Sequence, residues 1–217
     1  MTPLKNEIRE ALLEADFERV AQLAAGNKRT FGVLVSLAYN KEELLCWRAI
    51  EAMGAAAKAS NPDKPELLRN VVRRLIWSAR EESGGMGWSA PEFLGEIVRA
   101  RPRAFTDIPP IIVSLHSEDE ENVFRKGVLL ALGRMANAGI DDTPGSEAVL
   151  QESLQNDDPA VRGLAAWAIG QTGQTGSADR LHELAGDDAR FRIYEEGELR
   201  EITVAEAANS ALALVRT

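Results

Sequence analysis

The chain has 217 residues, 45% of them hydrophobic, with 25 lysines and arginines against 34 aspartates and glutamates, a formal net charge of -9. That length supports a sizeable core in one globular domain or one elongated array. No run of apolar residues is long enough to cross a bilayer, and so acidic a chain repels nucleic acid unless its cations gather on one face.

The N-terminal stretch MTPLKNEIREALLEADFERV is charged throughout and lacks the apolar centre of a secretory signal. One cysteine, Cys46, excludes an internal disulfide and makes the cytoplasm the expected compartment. Almost every segment that follows has helical period. NKEELLCWRAIEAMGAAAKA has an acidic start, then Leu44, Leu45, Arg48, Ala49, Ile50, Met53 and Gly54. Cys46 lies inside its apolar run, where a buried thiol is inert. LLRNVVRRLIWSAR carries Arg69, Arg73, Arg74 and Arg80 without an acid, and VRARPRAF adds Arg99, Arg101 and Arg103. By contrast HSEDEENVF and QNDDPAV are acidic; solvated helix faces and acidic turns are the expected reading.

Between the two arginine clusters lies EESGGMGWSAPE. A nucleotide-binding glycine loop needs a lysine after the glycines and a strand before them, and this stretch has neither. The plainer reading is a helix end and a helix start. Gly84 or Gly85 supplies a left-handed C-cap; Ser89 caps the next helix, with Glu92 completing a capping box. Trp88 is left over: it either plugs the adjacent core or anchors a partner. Glu92 and Glu96 are one turn apart, and with Glu81 or Glu82 they form a candidate carboxylate cluster that Arg73 and Arg74 would neutralise. A structural ion-pair network is expected there rather than a hard-metal or acid–base site.

Downstream, SEDEENVFRKGVLLALGRMANAG repeats the plan of an acidic start, an apolar run and a glycine. In DDPAVRGLAAWAIGQTG, Asp157 or Asp158 caps a helix, Pro159 suits its first turn, and Gly170 and Gly173 mark the stop. Gly133 and Gly170 are about 37 positions apart, a helical-repeat spacing. ARFRIYEEGELREITVAEAA breaks the pattern: Phe191 and Ile193 alternate with Arg190, Arg192 and Tyr194 around EEGE, which predicts a β-hairpin over about 190–203 between the helices of the last repeat. Thr203 and Glu206 have capping-box spacing for the final helix.

The Asp-Pro turn, Val-Arg pair, small residues and glycine of DDPAVRGLAAWAIGQTG resemble the HEAT-like repeat first described in phycobilisome lyases; residues 39–59 and 117–138 resemble it too. The resemblance implies an all-α fold, a right-handed α-α superhelix in one domain over residues 1–217. With the hairpin it would hold about five helix pairs, since stacking buries what each pair leaves open. It also implies a non-catalytic scaffold or accessory subunit that binds another protein. The alternatives within such folds are enzymes: a lyase-type or a DNA-glycosylase-type protein. A di-iron hydroxylase of HEAT-like fold needs several His-Glu pairs, whereas this chain has only His116 and His182, expected at surface or capping positions. Cys46 and two distant histidines give no zinc spacing. No cofactor and no metal are expected.

Arg73 and Trp77 share a helix face, with Arg74 and Arg80 flanking it and Trp88 just beyond. Arginine and tryptophan are enriched at binding hot spots. Residues 73–96 are therefore the expected recognition surface, with Arg73, Arg74, Trp77, Arg80, Glu82, Trp88, Glu92 and Glu96 as its members and an acidic protein segment as its ligand. If both indoles were buried and the arginines paired internally with Glu81, Glu82, Glu92 and Glu96, the stretch would be structural only.

Overall fold

The computed structural model describes residues 2–80, 88–117 and 123–215. The chain divides into two compact units, residues 1–106 and 107–217.

The first unit holds α1 (Pro3–Leu13), α2 (Phe17–Gly26), α3 (Arg29–Leu37), α4 (Leu44–Ala59), α5 (Pro65–Ala79) and α6 (Ala90–Ala100), then a 3-10 turn at Pro102–Ala104. Its first two helix starts carry side-chain caps. Thr2 Oγ1 accepts the Lys5 N–H ahead of Pro3, and Asp16 accepts the Arg19 N–H at 2.9 Å. Helix α4 is the hub, packed on α2, α3 and α6. It can be approached closely because its buried positions are mostly small: Ala49, Ala52, Ala56 and Ala57 are fully buried beside Ile50 and Met53. Arg101 closes the α4–α6 layer by donating to the carbonyls of Ala57, Lys58 and Ser60 at the end of α4. Arg69 lies over the Phe105 ring at 4.5 Å. These two arginines, which the sequence suggested were solvated, are structural staples.

The second unit holds α7 (Pro109–Ser117), α8 (Val123–Ala136), α9 (Ser146–Ser153), α10 (Pro159–Thr172), α11 (Ala178–Leu184), β1 (Arg190–Glu195), β2 (Glu198–Thr203) and α12 (Val204–Val215). Helix α10 lies between α8 and α12 and is buried from Gly163 through Gly170. Its start follows the sequence reading: Asp158 accepts the Ala160 N–H at 2.8 Å, Pro159 takes the first position, and Gly173 closes the end at φ +67. Asp157 is exposed and does not cap. Asp158→Ala should therefore cost about 1 kcal/mol, read as a lower urea midpoint, and Asp157→Ala almost nothing.

The repeat glycines have a different job from the one their spacing suggested. Gly54, Gly133 and Gly170 lie inside helices, not at their ends. A Cβ on Gly133 would stand 2.2 Å from the Trp167 ring, and one on Gly170 would stand 2.9 Å from the Ala211 backbone. These glycines set how closely successive helices approach.

The hairpin lies where the sequence placed it, between α11 and α12. Phe191 faces Ile202 and Tyr194 faces Leu199 in an antiparallel register. Glu196 and Gly197 both have positive φ, 52 and 79, which makes the two-residue turn of the I′ type. Phe191 fills the space that Gly163 leaves open on α10. The alternation fails at Tyr194, expected on the outer face: it is buried beneath the Arg134 guanidinium, 5.2 Å from its ring. Helix α12 begins on a complete capping box: Thr203 N–H donates to Glu206 Oε2 at 2.6 Å, and Glu206 N–H donates to Thr203 Oγ1 at 3.0 Å. The backbone bond from Thr203 holds the Glu206 carboxyl below its ordinary range.

Candidate functional site: a cationic groove with an exposed indole

Helix α5 buries a narrow stripe, Leu68, Val72 and Leu75, against its own unit. Glu66, Asn70, Arg73, Arg74 and Trp77 form its exposed side. Arg73, Arg74 and Arg80 are exposed, and Trp77 is 63% exposed. Four-residue spacing puts Arg73 and Trp77 on one face, as the sequence indicated.

That face forms one wall of a groove whose other wall is α3. A polar reach of about 790 Å³ is lined by Lys28, Arg29, Gly32, Leu67, Asn70, Val71, Arg73, Arg74 and Trp77. It runs into an apolar reach of about 340 Å³, lined by Phe31, Gly32, Val35, Val71, Arg74, Leu75, Trp77 and Ser78. Gly32 is the shared floor: a Cβ there would meet nothing within 4 Å. Four cations and no carboxylate line the polar reach. Arg73 is engaged by Glu66 at 2.8 Å, both groups well exposed. Lys28, Arg29 and Arg74 make no ion pair among the described residues. The α3 half of this groove escaped the sequence reading, although NKRTFG does carry two cations and a glycine within five residues.

Other members of the expected surface fall elsewhere. Trp88 is 51% exposed, so it is not a core plug, and it does not line the groove. Arg80 ends α5 and does not line it either. Glu82 and the expected Gly84 or Gly85 cap lie outside the described residues.

Glu92 and Glu96 do not belong to any surface. They are 3% and 1% exposed, on the face of α6 turned to α4. Trp47 Nε1 donates to the Lys41 carbonyl at 2.8 Å and fixes the loop before α4. The Lys41 ammonium then donates to Glu92 Oε1 at 2.6 Å and to the Trp88 carbonyl at 2.9 Å. Glu96 is met by Arg99 at 2.6 Å, and its Oε2 occupies the space over Gly54. Of the expected cluster, Glu92 pairs with Lys41 and Glu96 with Arg99, not with Arg73 or Arg74, while Glu81 and Glu82 lie outside the described residues. The capping box expected from Ser89 and Glu92 is absent, because Glu92 is drawn to Lys41 and the Ser89 hydroxyl donates to the Ala38 carbonyl at 3.0 Å.

Cys46 is buried in the same layer. Burial, helped by the nearby Glu92 charge, pushes its thiol up to about 12, so it carries no thiolate at neutral pH. His116 corrects another expectation: it is buried, with Nε2 2.8 Å from Ser153 Oγ. His182 is exposed. Among the described residues no group of three His, Cys, Asp or Glu side chains could hold a metal ion, and no helix is long and apolar enough to cross a membrane.

Residues 108–196 match the family model for HEAT repeats. The chain is 31% identical over 169 residues to an uncharacterized protein of Archaeoglobus fulgidus, a match covering 75% of this chain and 81% of that one. It belongs to the HEAT repeat proteins. Among solved structures, an engineered protein aligns with 100% of this chain and 97% of its own at 18% identity and a TM-score of 0.51. A designed armadillo repeat protein covers 99% of this chain and 95% of its own at 17% identity and a TM-score of 0.47. The first of these likenesses is one of fold alone, and the match to HEAT repeats as a class carries no lyase assignment.

Proposed function

We propose that this protein is a non-catalytic interaction module, a scaffold or accessory subunit that binds another protein through the open face of α5 and the start of α6. The observation that carries the reading is the exposure of Trp77, at 63%, between Arg73 and Arg74 on α5 and Arg80 at its end, together with a second exposed indole, Trp88 at 51%, just before α6. Large exposed side chains of this type mark binding hot spots more often than they mark packing. A single buried cysteine fits a reducing cytoplasm. The charge of -9 weighs against a nucleic-acid ligand and hence against a glycosylase-type enzyme.

The test is quantitative capture of partners from native lysate with Arg74→Glu and Trp88→Ala. Both variants should lose the captured protein while unfolding stays within about 0.5 kcal/mol of the parent, as for other surface substitutions. If Trp88→Ala instead lowers stability by several kcal/mol, or capture is unchanged in both, the reading fails.

A further inference from the structure

Three features of the α3–α5 groove need a common explanation. Its polar reach gathers four cations in a chain of net charge -9. Lys28, Arg29 and Arg74 have no carboxylate partner among the described residues. Its floor is Gly32, at a position inside a helix where any other residue would project into open space.

Cations so concentrated raise the local free energy of the empty groove, and an anionic ligand relieves it. The apolar reach beside them, walled by Phe31, Val35 and Leu75 and edged by Trp77, offers burial to one hydrophobic group. Helical rise from Leu67 to Ser78 gives the groove a length of about 16 Å, which an extended chain covers in about five residues.

We propose that the α3–α5 groove binds a short extended acidic peptide segment of a partner protein. The peptide's carboxylates lie along Lys28, Arg29 and Arg74, and one apolar side chain is seated over Gly32 against Trp77. This rests on the interaction-module reading and names its ligand. It also adds α3, and Gly32 in particular, as the element that selects the ligand. Carboxylates spaced along an extended strand can meet cations on both walls, while the missing side chain at position 32 gives the anchor its depth. Trp88 and Arg80 then contribute to a partner's wider footprint rather than to this peptide.

The experiment uses the full-length chain and three fluorescein-labelled peptides, read by anisotropy at physiological salt. One has a central leucine flanked by aspartates and glutamates. In the second, asparagine and glutamine replace the acids. In the third, serine replaces the leucine. A single-stranded oligonucleotide is the fourth probe. The acidic leucine peptide should bind, and both altered peptides should bind at least about tenfold more weakly. Gly32→Leu, which fills the floor, and Arg29→Glu, on the exposed wall, should each weaken the acidic leucine peptide by about tenfold or more, with the thermal midpoint not lowered. Arg29→Glu keeps the test decisive should Gly32→Leu fold poorly.

Failure has distinct forms. Binding that is lost in Trp88→Ala but unchanged in Gly32→Leu and Arg29→Glu overturns the groove and leaves the interaction module standing. Equal binding of the neutral peptide, tighter binding of the oligonucleotide, or no binding of the acidic peptide at all overturns the acidic ligand.

Discussion

Arg162→Ala should lower the unfolding free energy by about 2–4 kcal/mol, because one guanidinium closes three separate gaps. Its Nη1 donates to the Asn156 and Asp157 carbonyls at 2.8 and 2.9 Å, and its Nε and Nη2 donate to Asp187 at 3.1 and 2.8 Å. The pair is mostly enclosed, with side chains 16% and 20% exposed. Removal leaves both carbonyls and a carboxylate without their donor. Arg162→Lys should rescue only part of the loss, since an ammonium cannot span the same fork.

The same pair predicts a pH signature. Partial burial pushes the Asp187 carboxyl up, but the bond from Arg162, with the Ala189 N–H and the guanidinium charge, outweighs it and holds the carboxyl below its ordinary value. A group lowered on folding contributes stability that is complete above the ordinary aspartate range of about 4 and is lost as pH falls through the lowered folded value. The gap between parent and Arg162→Ala should thus be full at neutral pH and shrink below about pH 4, as read by urea midpoints across that range. A gap independent of pH would show that the carbonyl contacts alone carry the effect.

Gly133→Ala should cost about 1–3 kcal/mol net, in a helix interior where alanine ordinarily gains about 1 kcal/mol over glycine. The cause is the Trp167 ring, 2.2 Å from where the Cβ would be. The ring cannot swing away freely, since its indole N–H donates to Glu195 at 2.6 Å and its neighbours fill α10. In a Trp167→Leu background the same substitution should become neutral or stabilising. A double-mutant cycle in urea measures that coupling directly. Additivity would mean that the glycine is not there for the indole.

Much of the architecture was legible because its signals are local. The Asp158 cap, Pro159, the Gly173 stop, the I′ turn at Glu196–Gly197 and the Thr203–Glu206 box each involve side chains within a few residues of the backbone they satisfy. What the sequence concealed depends on helices far apart in the chain. Ser89 and Glu92 have capping-box spacing, yet both are buried, and there the Ala38 carbonyl takes the Ser89 hydroxyl while the half-buried Lys41 ammonium takes the Glu92 carboxylate, a charge-assisted bond stronger than a neutral cap. Arg101 and Arg69 read as members of a basic face until the carbonyls of α4 and the Phe105 ring are brought to them. The candidate site was half legible for the same reason. Arg73, Arg74 and Trp77 share one helix and can be placed together by counting. Lys28, Arg29 and Gly32 reach them only through the packing of α3.

The hairpin has a bearing on how this chain behaves in a crowded solution. A sheet of two strands turns backbone groups outward along each, although the Arg134 guanidinium already donates to the Tyr194 carbonyl on β1, and such edges recruit strands from other molecules into fibrils. Here each strand is only six residues long, and charged groups recur along both: Arg190, Arg192 and Glu195 on one, Glu198, Arg200 and Glu201 on the other. A second hairpin approaching either edge would have to strip water from several of these groups. The insertion therefore gains its apolar contact with α10 without presenting the chain as a template for aggregation.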